Sequence, residues 1–286
     1  MADARGRSAP AGFGQGGLSR ADARSTRASL RARVLPLRRL TLPVLVLLGW
    51  QLLAQSGRFK PIFMPPLQAI GARIVDLARS DVLLPAAAAS MGRLAVGFSL
   101  AVVLGIALGL LVTRLRFAEP LAVRLLSALL ATPAVAWTPL FMLWFGLGNP
   151  ATIALIVFVG TVPIALNTWS GLHDVDRIYL RVAESMNVHG LQRFRKVSLP
   201  AAFGPVLVGI RLGFARSWHG LVAGELLAGA ASGLGVLVTK GLVFLDTPSM
   251  ITGVLAIALL AYVTERLLFE RLERQVLKRW GLAGQP

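Results

Sequence analysis

The sequence predicts an all-α membrane protein with six transmembrane helices, and three observations carry that prediction. Of 286 residues, 55% are hydrophobic and 15% are charged, whereas soluble domains carry about a quarter charged residues. Apolar runs near the length of a bilayer crossing, about 20 residues, recur along the chain. The formal charge of +17 does not gather on one basic face, as nucleic-acid binding requires. The cations sit instead in the gaps between apolar runs, which is a pattern of membrane topology.

Residues 1–38 read as a disordered, basic, cytoplasmic tail. The first 39 positions hold nine arginines and two aspartates among Gly, Ala and Ser, too little apolar surface to offset the entropy of ordering. Gly12, Gly14 and Gly17 match GxGxxG there, but no strand precedes them and no helix follows, so a dinucleotide site lacks its context. Residues 39–286 form the membrane domain. Its first helix is expected over 40–55, where "LTLPVLVLLGWQLLAQ" follows Arg38 and Arg39. Leu52 before Ala54 is a poor cleavage site for a signal peptide, so the segment reads as an uncleaved helix.

Further spans are expected over 92–113, 121–145, 151–169, 206–227 and 249–264. Six crossings place both termini on one side. Counted with the adjoining span ends, over 1–39, 114–124, 170–217 and 265–286, that side holds 24 of the 30 Lys and Arg, against five on the other. The positive-inside rule makes the termini and the segment 181–200 cytoplasmic.

Punctuation within the spans is consistent with this division. Asn149 before Pro150, and Thr247 before Pro248, read as an N-cap followed by proline at the first helical position. Ala101, Gly105 and Gly109 recur at four-residue spacing, a feature that lets another helix approach closely. Outside the spans, Ile70, Ile74 and Leu77 share one face of a short amphipathic helix over 67–79. Pro133 and Pro139 interrupt the third span and Pro163 the fourth, and a glycine-rich run covers 229–235. Irregular backbone at membrane depth survives only against protein or a water-filled cavity. Pro133 and Pro139 are therefore candidates for a translocation pathway or gate, with kinks made for packing as the alternative.

In the fifth span, Arg211, Ala215, Trp218, Val222 and Glu225 fall on one stripe. Ionisable groups in spans normally face the bundle interior or water, so Arg211, Trp218 and Glu225 join the candidate pathway. The alternative for Arg211 is snorkelling to the interface. Arg211 and Glu225 lie about 21 Å apart along one helix, so each requires another partner. For Glu225 that partner is expected on a neighbouring span or in the run 229–235.

Nothing in the chain looks catalytic. His173, His189 and His219 are scattered and none belongs to HExxH, so no metal-ligand set is visible. No GxxxxGK[ST] loop occurs, and with no cysteine there is neither a disulfide framework nor a thiol nucleophile. The chain is expected to be no enzyme and to bind no cofactor.

The stretch "RVAESMNVHGLQRFRKVSLP" over 181–200 is too charged for hydrocarbon, yet its apolar residues keep helical spacing. Val182 and Met186 are four apart and Leu191 and Phe194 three apart, with His189-Gly190 between two short helices. It resembles the cytoplasmic loop of ABC importer permeases, whose pattern runs EAA, three residues, Gly, nine residues, a hydrophobic residue, one more, then Leu-Pro. With Leu199 and Pro200 aligned, Ala183 takes the last alanine and Val197 the hydrophobic position. Arg181, Val182 and Asn187 stand where the pattern has Glu, Ala and Gly. Asn is the non-glycine residue best suited to positive φ, so the turn is expected to persist. Residues 132–172, "SMGRLAVGF" and the order of motifs from Gly209 to "GAASGLG" look like the nitrate, sulfonate and taurine branch of those permeases, over about residues 40–280.

The resemblance implies a type I ABC importer permease (MetI-like) fold in a bacterial inner membrane. It implies a coupling loop over 171–205, with Val182, Ala183, Met186, Asn187, Gly190, Leu191, Phe194, Leu199 and Pro200 at the ATPase contact. It also implies partners: a second permease copy as a homodimer, two cytosolic ATP-binding subunits that hold ATP and magnesium, an extracytoplasmic solute-binding protein and membrane lipid, but no nucleic acid. The expected cargo is a small anionic solute of the aliphatic sulfonate, taurine or nitrate class. The rival reading is a secondary transporter or channel that works without an ATPase.

Overall fold

The computed structural model describes residues 41–115 and 117–279, with side chains to residue 269. The expected tail over 1–38 lies outside the described residues. Among the described residues all regular structure is helical.

The chain divides into two compact units, one ending at Leu67 and one beginning at Gln68. The first contains α1, Thr41–Gln55. Its end is tied to the following turn by Trp50 Nε1–H, which donates to Pro65 O at 2.9 Å, and by Gln51 Oε1, which accepts from the Leu67 amide at 2.9 Å.

The second unit runs through α2 (Leu67–Arg79), α3 (Leu83–Arg114), α4 (Glu119–Ala131), α5 (Ala134–Phe145), α6 (Asn149–His173), α7 (Arg177–Ser185), α8 (Gly190–Arg193), α9 (Leu199–Leu227), α10 (Leu234–Val243) and α11 (Thr247–Arg279). Its core is a layer in which α6 lies between α3 and α9. Small residues make that possible. The row Ala101, Gly105 and Gly109 of α3 faces α6, and a Cβ added at Gly109 would stand 2.6 Å from the Ala165 carbonyl oxygen. On the other side of α6, a Cβ at Gly213 of α9 would meet the Ile164 side chain at 2.6 Å. Without bulky side chains between them, the backbones close to a distance at which dispersion and Cα–H contacts replace the missing apolar burial.

Four helices, over Leu83–Arg114, Asn149–His173, Gly190–Leu227 and Thr247–Phe269, are long and apolar enough to cross a membrane, and α1 is a shorter apolar helix. The expected third span over 121–145 is broken where Pro133 predicts an interruption. It is two half-helices, α4 and α5, bent by 102° at a short break. Thr132 is extended (φ −77°, ψ 129°) and Pro133 follows with φ −61°, since the residue before proline is driven out of the α region and proline brings no N–H to continue the ladder. The fifth span also begins earlier than expected. A π-helical turn over Phe194–Ser198 joins α8 to α9, so one helix of 38 residues runs from Gly190 to Leu227.

Both expected N-caps are corrected too. α6 begins at Asn149 after Gly148, whose φ of 93° is open to glycine at no steric cost, and the Asn149 side chain is used elsewhere. At α11 the cap is Asp246: its Oδ1 accepts from the Ser249 amide at 3.2 Å and its carbonyl from the Met250 amide at 3.1 Å. In α2, Ile70 and Leu77 are buried as the amphipathic pattern requires, with Ile74 half-buried. Arg73 clasps the start of α11, donating to Ser249 Oγ at 2.6 Å and to Asp246 Oδ2 at 2.8 Å. Burial pushes the Asp246 carboxyl up, but hydrogen bonds from Ser249 and the Arg73 guanidinium outweigh it and hold the group below the usual aspartate value.

Candidate functional site

Three structures on α9 and its extension concern function, and each grows from residues at helical spacing. The first is a buried ion pair. Glu225 sits near the end of α9 and Arg93 near the start of α3, with side chains 1% and 6% exposed. Arg93 Nη1 donates to Glu225 Oε1 at 2.5 Å, Nε to Asn149 Oδ1 at 2.7 Å, and Nη2 to the Ser232 carbonyl. Ser90 Oγ donates to the same carboxylate at 2.7 Å and accepts from the Leu234 amide at 2.9 Å. The Gly235 amide donates to Glu225 Oε2 at 2.8 Å. Glu225 thus holds both a neighbouring span and the glycine-rich turn. The turn must be free of side chains to fit: Gly233 has φ 145°, and a Cβ there would lie 2.5 Å from the carboxylate.

Of the stripe of Arg211, Trp218 and Glu225, the last two are turned into the interior of this chain and the first is left exposed. Trp218 packs with Leu94, Ile156, Phe214 and Leu221 in an apolar cluster. Arg211 is exposed and pairs with Glu265 of α11 at 2.9 Å. Trp218 and Glu225 are buried because α9 packs closely on α6, where Gly213 and Gly220 permit close approach.

The second structure lies on the other side of α9. The elbow between α4 and α5 borders a partly open cavity of about 330 Å³, lined by residues that include Pro133, Phe158, Val159, Val162 and the exposed Arg216 and His219. Pro133 therefore stands at this cavity, whereas Pro139 lies exposed within α5 and is absent from its lining. His219 Nδ1 lies 2.7 Å from the Ala215 carbonyl oxygen.

The third is the segment that joins α6 to α9. Asp176 Oδ1 accepts from the Ile178 amide at 2.9 Å and starts α7. The helix ends in a Schellman turn, with the Val188 amide on the Ala183 carbonyl at 2.9 Å and the Asn187 amide on the Glu184 carbonyl at 3.0 Å. Asn187 is the left-handed residue of that turn, at φ 59°. This is the position where the pattern has Gly, and the turn forms with Asn. The break between helices falls at 186–189, ahead of Gly190, which opens α8 rather than separating it from α7. Ala183 is buried, while Val182, Met186 and Leu191 are 51%, 71% and 61% exposed. Arg193 Nη1 bonds Glu184 Oε1 at 2.9 Å and ties α8 to α7. Arg114 of α3 lies over the Phe194 ring, 5.6 Å from its centre. Leu199 and Pro200 form the first turn of α9.

Arg93, Arg216 and His219 are the residues that sequence reasoning passed over. Arg93 had a signal: a lone cation in one span and a lone carboxylate in another are each costly unless they meet. Arg216 and His219 had one too, because Leu212, Arg216, His219 and Ala223 follow the same four-and-three spacing as the stripe that was chosen. Helical periodicity does not say which of two stripes a neighbour covers.

Comparison with known proteins agrees with this geometry. Residues 101–278 match the family described as binding-protein-dependent transport system inner membrane component. The chain is 32% identical over 241 residues to a protein named as an aliphatic sulfonates transport permease, SsuC of Bacillus subtilis strain 168, covering 84% of this chain and 86% of that one. It is 30% identical over 230 residues to the taurine transport system permease protein TauC of Escherichia coli K12, covering 79% and 83%. The fold resembles a chain of the inward-facing MetNI methionine ABC transporter, with a TM-score of 0.59, 17% identity and coverage of 70% of this chain and 98% of that one. The overall fold is thus a known one, and the chain belongs to the binding-protein-dependent inner membrane components, the permease subunits of ABC importers.

Proposed function

We propose that this permease carries a small anionic solute of the aliphatic sulfonate, taurine or nitrate class, and that residues 181–200 couple it to cytosolic ATPase subunits. The observation that carries the coupling is the α7–α8 unit. It presents Val182, Met186 and Leu191 to solvent, yet it is held rigid by the Schellman turn and the Arg193–Glu184 pair. Together with the exposed Ile178 and Tyr179, these apolar side chains on an ordered and largely charged element suit a groove on a partner.

The unit is also continuous with the span. Gly190–Leu227 is one helix, so a partner that moves α8 moves the axis carrying Arg216 and Glu225. ATP binding and hydrolysis belong to the partner, and this chain supplies the lever and the path. A second copy completes the path as a homodimer, an extracytoplasmic binding protein delivers the solute, and both termini lie in the cytoplasm of a bacterial cell. The names of the sulfonate and taurine relatives support the solute class.

Met186→Asp tests the coupling. It puts a charge on the most exposed apolar knob, removing burial worth about 1.5 to 3 kcal/mol and adding a desolvation cost. The variant is expected to insert and fold normally while the assembled complex loses ATPase docking and solute uptake. Unchanged co-purification and uptake would remove Met186 from the contact.

A further inference from the structure

Arg216 differs from Arg73, Arg93 and Arg211 in having no side-chain partner among the described residues. Arg93 is held by Glu225, Arg211 by Glu265 and Arg73 by Asp246. Among the described residues nothing makes a hydrogen bond or ion pair with Arg216. It is not near a helix end that would let it reach water along the membrane surface: eleven residues, about 16 Å, separate it from Leu227, and the distance to Leu199 is greater. A guanidinium at such depth is costly unless something negative or wet accompanies it.

What accompanies it is the elbow cavity. Among the described residues, Arg216 and His219, three residues apart on α9, are its only ionisable lining groups, and no carboxylate lines it. The remaining wall is largely apolar, with Leu129, Phe158 and Val162 among it. The acids of the neighbouring helices are engaged elsewhere: Glu225 with Arg93, Glu265 with Arg211, and Glu119 with Trp169 and His173. At His219, the Ala215 carbonyl can only accept, so Nδ1 carries the proton and Nε2 is the ring atom left to meet a solute.

We infer that Arg216 and His219 form a binding site in the α4–α5 elbow for a small monovalent oxyanion bearing a short apolar tail. The planar guanidinium takes two oxygens of the head group in parallel hydrogen bonds, and the apolar wall takes the tail. Low surrounding polarity strengthens the attraction relative to water. The size is suitable, since about 330 Å³ falls at the lower end of small-ligand cavities. The bend of 102° at Thr132–Pro133 is what opens this space, so the proline assigned to the pathway from sequence acts by making room beside α9. The inference deepens the reading of the chain as an anion permease and rests on it for the identity of the solute.

Arginine modification tests the site directly. The full chain in detergent is treated with phenylglyoxal, and each arginine is followed by mass spectrometry with and without ethanesulfonate. Arg216 is expected to react and to be protected by ethanesulfonate but not by tetraethylammonium chloride, while Arg211 is indifferent to both. No protection of Arg216 would overturn the site. Repeating the reaction in phosphatidylglycerol vesicles separates solute from lipid: full protection there without added sulfonate would assign Arg216 to a headgroup phosphate and overturn the solute assignment.

Uptake by the assembled complex in proteoliposomes gives the second arm, with co-purification of the ATPase checked for each variant. Arg216→Gln is expected to lower ethanesulfonate uptake by about tenfold, the equivalent of one charge-assisted hydrogen bond, and Arg216→Lys by less. Uptake by Arg216→Gln equal to wild type would overturn the role. If the wild-type complex moves no sulfonate while Arg216 remains protected, the proposed transport function fails and the binding site stands.

Discussion

Arg93 and Glu225, 132 residues apart in the chain, meet at 2.5 Å with side chains 6% and 1% exposed. The pair does more than neutralise two charges. Ser90, Asn149, the Ser232 carbonyl and the Gly235 amide complete its hydrogen bonds, so one polar knot joins α3, α6, α9 and the turn that leads into α10. A buried pair is worth little against an apolar replacement, but removing one partner strands the other.

That asymmetry gives a first expectation. Glu225→Ala leaves Arg93 buried without its counter-charge and should cost about 3 to 5 kcal/mol. Glu225→Gln keeps the shape and one acceptor oxygen, enough for Arg93 or the Gly235 amide but not for both, and should cost less, and Arg93→Gln with Glu225→Gln should recover part of the loss. Thermal denaturation in detergent measures the order of the three. Equal stability of the alanine and glutamine variants would show that the carboxylate charge, rather than shape or the remaining hydrogen bond, holds the turn.

At Asn187, φ 59° places a non-glycine residue in the left-handed region. Asn187→Gly should preserve the turn, while Asn187→Val should destabilise it by about 1 to 3 kcal/mol, because a β-branched side chain is strained there. Hydrogen exchange of the Val188 amide, which is bonded to the Ala183 carbonyl, reports the difference. Faster exchange in the valine variant alone is the expected result.

Membrane sidedness is open to labelling because the chain has no cysteine. A cysteine at Gln192 should react only from the cytoplasm and one at Gln68 only from outside. Labelling of both from one side would overturn the assignment of both termini to the cytoplasm.

The clasp of Arg73 on Asp246 should resist acid. The carboxyl lies below its usual 3.8 in the folded chain, so the folded state favours the ionised form. Its contribution is fully present above 3.8 and is lost only as pH falls through the lower folded value. The side chains are about a third exposed, at 36% and 32%, which screens the gain to a fraction of a kcal/mol. Proteolysis of the link between α10 and α11 should be unchanged from pH 7 to about pH 5, and should rise in Asp246→Asn, which loses the charge at every pH.

The sequence by itself determined where helices form, because apolar runs, proline positions and glycine rows are local facts. It located the six apolar segments, the α3 row of Ala101, Gly105 and Gly109, the amphipathic α2 and the turn at Asn187. It also led to the family, through the resemblance around Leu199 and Pro200, and the match over residues 101–278 bears that family out. Tertiary structure decided what periodicity leaves degenerate. Two stripes of α9 obey the same spacing, and only the packing of α6 and α3 buries Trp218 and Glu225 while leaving Arg216 and His219 on the elbow cavity. Likewise, Pro133 announced an interruption but not its angle; the 102° bend depends on what the two half-helices pack against. The partner of Glu225 was beyond local reading for the same reason, since a contact across 132 residues exists only once α3 and α9 have been brought together by their shared neighbour α6.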